Sequence, residues 1–188
     1  MHPELGELLH SWHDFYLLVG TASATLVGLM FVAASIGAQV FSENNRAATG
    51  AFISPTVVHF SSAFVLCILG TVPAHSRLTV GALQALVGIA GAVYSTNVWT
   101  QLFIRRRFTV DVVDRLFYAL IPLVAYLLVI AAAATLFIRP DVGLELLAAA
   151  LLILVIAGLR NAWDMMIWIM IKIPIDTPPT QSPPSQSP

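Results

Sequence analysis

Apolar positions in this chain run in long unbroken blocks, without the every-second alternation of a half-buried strand or the one-sided stripe of a soluble helix. Phe15 to Val40 carries 26 residues with no Asp, Glu, Lys, Arg or His, Val80 to Ile104 carries 25, and Leu116 to Ile138 carries 23. A helix that rises about 1.5 Å per residue needs about 20 residues to cross about 30 Å of hydrocarbon. Lipid offers no partner for unpaired backbone groups, so the blocks are predicted to be membrane-spanning helices. A further span is predicted from Pro55 to Val72, with Ser54 as N-cap, Pro55 at the first helical position and Pro73 closing the helix. The last begins near Asp141, an N-cap following Pro140, stays uncharged from Leu146 to Leu159, and then meets Arg160 and Asp164. The pattern therefore predicts an all-α polytopic membrane bundle over residues 15–172, with five transmembrane helices at about 15–40, 55–72, 80–104, 116–138 and 144–171.

Ahead of the first span, Leu5, Leu8, Leu9, Trp12 and Tyr16 recur at helical spacing, with Glu4, Glu7, Ser11 and Asp14 on the other side. Residues 1–14 are read as an N-terminal interfacial amphipathic helix. They hold no Lys or Arg, unlike the leading end of a cleaved signal peptide, so the first span is expected to be retained. His10, His13 and Asp14 could ligate a divalent metal or titrate together, but histidine also suits the headgroup region, and four-ligand structural zinc would need more. No metal or other cofactor is assigned. At the other end, residues 173–188 form a Pro- and Ser-rich tail with no means of building a core, predicted to be disordered.

Composition sharpens the picture: 58% of residues are hydrophobic and 10% charged, against about 25% charged in soluble domains, which excludes an ordinary water-soluble fold. The formal net charge is −1, and the one basic run, Arg105 to Arg107, abuts a span end, where it reads as a topology signal and not as a nucleic-acid patch. Cys67 is the only cysteine. With five spans, the N-terminal side collects only Arg77 and Arg139, while the other seven Lys and Arg fall on the opposite side. Basic residues concentrate in cytoplasmic loops, so a multi-pass protein of the inner (plasma) membrane is expected, N-terminus outside and C-terminus cytoplasmic.

Gly20, Ala24 and Gly28 recur every four positions in the first span. Small residues at this spacing let helix backbones approach, against another span or against a second subunit. On the predicted cytoplasmic half, His59, Asn97, Gln101, Arg160, Asn161 and Asp164 come to similar depth as a polar cluster. Ionisable groups in a membrane usually face the bundle interior or a water-filled cavity, which makes the cluster a candidate pathway; Arg160 and Asp164 can equally pair at the interface. Pro122 could kink the fourth span or sit harmlessly in its first turns, and Gln84 is expected to bond across helices.

The string Trp12-His13-Asp14-Phe15-Tyr16-Leu17-Leu18-Val19-Gly20-Thr21-Ala22, running on to Gly28-Leu29-Met30-Phe31-Val32-Ala33-Ala34-Ser35, resembles the opening of a group of small, uncharacterised bacterial integral membrane proteins. Gly158-Leu159-Arg160-Asn161-Ala162-Trp163-Asp164 is similar to a phrase near their C-terminal span. The resemblance implies a multi-span helical fold and a bacterial source, with no activity attached. No phosphate loop, nucleophile elbow, zincin string or paired-carboxylate motif is present, so no catalytic residue is assigned. The reading is of a non-enzymatic membrane component that self-associates or binds a membrane-protein partner in the bilayer. The alternative is a channel or transporter for an ion or small solute through the polar cluster.

Overall fold

The computed structural model describes residues 5–36, 46–72, 76–103 and 116–172, apart from some side chains near the helix ends. Among these residues the fold is wholly helical: α1 (Leu5–Ser11), α2 (His13–Ile36), α3 (Arg46–Thr71), α4 (Arg77–Phe103), a π-helical segment (Leu116–Leu120), α5 (Ile121–Thr135) and α6 (Pro140–Lys172). Four stretches are long and apolar enough to cross a membrane, His13–Ser35, Arg77–Thr100, Leu116–Thr135 and Pro140–Ile167, and Pro55–Thr71 is a shorter apolar helix. The basic triplet, the Gln101 side chain and the Pro-rich tail lie outside the described residues.

Neighbouring helices run antiparallel, as pairs of contacts show. Tyr16 and Gly20 of α2 meet Gly70 and Cys67 of α3, while Met30 clusters with Phe60 at the other end. Phe60 also lies on Gly158 of α6, and the far half of α3, with Ala63 and Leu66, shares a cluster with Leu147 and Leu151. Gly81, Gly88 and Gly91 of α4 receive Phe137, Ile130 and Tyr126 from the α5 side, and Gly143 of α6 lies against Ala132 and Leu136. Without a hydrophobic drive between helices in lipid, close backbone approach and ring packing supply the attraction. Four of these contacts share one form: Tyr16 on Gly70, Phe137 on Gly81, Tyr126 on Gly91 and Phe60 on Gly158. Each glycine leaves a flat seat for an aromatic ring.

Several expectations are corrected. α3 begins at Arg46, so Pro55 lies inside the helix and Ser54 is not its N-cap; the loss of one intrahelical bond is tolerated where neighbours cover the helix, and Pro55 is buried. In α6 it is Pro140 that takes the first helical position, with Gly143 N–H donating to the Arg139 carbonyl; Asp141 sits in the first turn and pairs with Arg139 at 3.1 Å. The amphipathic character of α1 is present, with Glu7, His10 and Ser11 exposed. Its apolar side is used against protein: Leu8, Leu9 and Trp12 pack on the main core cluster, and Trp12 N–H to Leu8 and Tyr16 N–H to Trp12 bonds carry the helical path into α2.

The seam also divides. Gly20 is buried, its Cβ position 3.0 Å from Cys67 Cβ, whereas Ala24 and Gly28 are exposed and a Cβ on Gly28 would meet nothing within 4 Å. Gly28 is thus not needed for packing within the described chain. A Cβ on Gly91, by contrast, would fall inside the Tyr126 ring. Gly91→Ala is expected to destabilise the folded protein by about 1–3 kcal/mol, as overpacking does, with Gly28→Ala unchanged; reversible unfolding in bilayers compares them, and equal effects would refute the ring seat.

Candidate functional site

The polar interior is built around Tyr126. Its ring is placed by Gly91 of α4, and its hydroxyl reaches across to α3, donating to Ser62 Oγ at 3.0 Å and lying 3.1 Å from His59 Nδ1. His59 is 0% exposed, and its ring centroid is 5.8 Å from that of Tyr126. Thr56, one turn earlier on the same α3 face, is also buried. The other ring nitrogen, His59 Nε2, is enclosed and has no hydrogen-bond partner among the described residues. Ser95, one turn beyond Gly91 on the buried face of α4, and Ser23 of α2 are likewise enclosed with unpartnered hydroxyls. A tyrosine, a histidine and a serine linked in this way can hold and reorient a proton.

The Arg160 to Asp164 string serves a different purpose. Pro122 has no N–H, and in the i→i+5 register of Leu116–Leu120 it is the residue-122 nitrogen that would bond the Phe117 carbonyl. Asn161 Nδ2 donates to that carbonyl instead, at 3.1 Å, and Tyr118 donates its hydroxyl to the Asn161 carbonyl at 3.2 Å. One turn of α6 thus supplies the donor that proline removed from the fourth span. Arg160 lies over the Phe117 ring, 4.7 Å from its centroid, and its guanidinium is 3.3 Å from Asp164 Oδ2. Those two side chains are 35% and 28% exposed, so the ion pair is at the edge of the bundle and mostly covered by it.

The sequence-level cluster is therefore split by the structure. His59 belongs to the Tyr126 network; Asn161 and Arg160 contact the π-helical segment and Asp164 pairs with Arg160; Asn97 is on an exposed face of α4. Gln84 bonds across helices, donating to the Val129 carbonyl at 3.2 Å. Of the metal candidates, His13 and Asp14 lie 3.4 Å apart on an exposed edge and His10 is exposed; among the described residues no three His, Cys, Asp or Glu side chains converge. Sequence reasoning passed over Tyr126 and Tyr118. Their signal was available, because a tyrosine in the middle of an apolar span must find a partner for its hydroxyl. No protein-family model, characterised protein or solved structure matches this chain.

The Pro122 account is testable by a double-mutant cycle. Asn161→Leu leaves the Phe117 carbonyl without a donor and should cost about 1–3 kcal/mol. In a Pro122→Ala background the restored N–H supplies a donor, and the same substitution should cost less by about 1 kcal/mol or more, measured as unfolding free energy in bilayers. An identical cost in both backgrounds would separate Asn161 from the proline.

Proposed function

We propose that the protein is a non-enzymatic component of a bacterial inner (plasma) membrane that assembles with a second copy or a membrane-protein partner through the outer face of α2. The observation that carries this reading is the open space at Gly28. Thr21, Ala24 and Thr25 are exposed on the same helix, which is the least buried of the four long apolar stretches. Thr25 donates its hydroxyl to the Thr21 carbonyl at 2.9 Å, so that side chain is already satisfied within the helix. A surface of that kind admits a neighbouring backbone at close range. Solute movement, the other reading of the sequence, has a narrower footing, since Asn97 is exposed and Asn161 is committed to backbone.

In this reading α3 is the fifth span. Its 26 residues extend about 39 Å at about 1.5 Å per residue, and it alternates in direction with its neighbours. An odd number of spans puts the termini on opposite sides, and the distribution of Lys and Arg then places the N-terminus outside and the C-terminus in the cytoplasm.

Gly28→Leu should abolish association while leaving the unfolding free energy of the monomer unchanged, read as subunit exchange or crosslinking in bilayers. Unchanged association would remove the proposed interface. Cysteines introduced at Ser76 and Arg139 should react with an impermeant thiol reagent in intact cells and one at Arg106 should not; the reverse pattern would invert the orientation.

A further inference from the structure

The hydrogen-bond order around Tyr126 fixes the state of His59. A phenol has one hydrogen, and that of Tyr126 is directed to Ser62 Oγ. The phenol oxygen at 3.1 Å therefore accepts from His59 Nδ1–H, which leaves a lone pair on Nε2. That lone pair is enclosed and meets no donor among the described residues. The Ser23 and Ser95 hydroxyls are enclosed without partners among the described residues too, but an imidazole nitrogen is a far stronger base than a hydroxyl. Ionisable side chains at such depth mark functional positions in membrane proteins.

We propose that His59 Nε2 is a proton-binding site of the membrane interior, and that loading it opens the α3–α5 contact to water. The ligand is a proton delivered by hydronium: the Nε2–H bond forms, an O–H bond of hydronium breaks, and water is released. The ionisable groups around the site are few. α5 presents Tyr126, and α4 presents Tyr94, close enough to the Tyr126 phenol to interact with it electrostatically. α2 has no titratable side chain between Tyr16 and Ile36. On α6 the Arg160 and Asp164 side chains engage each other, and α3 itself contributes Cys67, packed on Gly20. No carboxylate free of another pairing is shown beside Nε2. An imidazolium there carries a second N–H with no acceptor, and an unpartnered charge in hydrocarbon draws water to itself. The hydrated form thus binds the proton more tightly than the closed form. By linkage, acidification shifts the population from closed to hydrated.

Full-length protein with labelled histidines in lipid bilayers tests this by nitrogen NMR, the His59 signal being assigned by its loss in His59→Gln. Near neutral pH the spectrum should show a protonated Nδ1 and a bare Nε2. Acidification from about pH 8 to about pH 3 should convert it to imidazolium, while α3 amides around His59 lose roughly tenfold or more of their exchange protection after correction for intrinsic rate. His59→Gln, whose amide can still bond Tyr126, should keep that protection over the same range. A proton on Nε2 at neutral pH, a His59 that stays neutral throughout, or equal loss of protection in both proteins would overturn the proposal. Should His59→Gln fail to fold, Tyr126→Phe provides the second arm: it must disturb the tautomer, and an unchanged spectrum would equally overturn it.

Discussion

The ring of Tyr126 occupies the volume where a side chain at position 91 would stand, and much of the interior depends on that one seat. Gly91 brings α4 and α5 together closely enough for the ring to pass between them, and the hydroxyl at its far end then reaches His59 and Ser62 on α3. One residue therefore joins three helices, by packing at one end and hydrogen bonding at the other. The same ring-on-glycine contact recurs at Gly70, Gly81 and Gly158, so the bundle is held by interlocked shapes distributed along its length. This suits a medium in which apolar contact between helices has no advantage over contact with lipid, and only tighter packing or a satisfied polar group does.

A second constraint is that no backbone group can be left without a partner at membrane depth. Pro122 breaks that rule locally, and the structure answers it twice, with a π-helical register ahead of the proline and with the Asn161 amide from α6. Tyr118 closes the loop by donating back to the Asn161 carbonyl. Asn161, one of the predicted pathway residues, is thus accounted for by the proline. Arg160 and Asp164 extend the same contact outward, one over Phe117 and each beside the other.

Against this background α2 stands apart. It meets α3 through Tyr16, Val19, Gly20 and Met30, and turns Leu17, Leu18, Thr21, Ala24, Thr25 and Gly28 outward. α1 steadies its start, since Leu8, Leu9 and Trp12 pack on the core and the Trp12, Phe15 and Tyr16 rings meet edge to face or tilted, with centroids within 6.4 Å of one another. The outer face of α2 thus mixes small residues with large ones such as Leu17 and Leu18, while the hydrogen-bonded polar interior belongs to α3, α4, α5 and α6.

The chain by itself determined the helices and their capacity to cross a membrane, because unbroken apolar length is a local property: the blocks at 15–40, 80–104, 116–138 and 144–171 correspond to α2, α4, the Leu116–Thr135 stretch and α6. It misplaced the start of α3, since Ser54-Pro55 is a locally valid helix opening and only neighbouring helices make an internal proline affordable. It also could not sort the polar residues. His59, Asn97, Arg160, Asn161 and Asp164 look alike as polar letters in apolar text, and which of them bonds a tyrosine, repairs a proline or faces outward depends on helix rotation and pairing. The Gly20, Ala24 and Gly28 repeat shows the same limit. Its spacing is written in the sequence, yet one glycine touches Cys67 and another touches nothing, because each helix face is allotted by contacts between residues far apart in the chain.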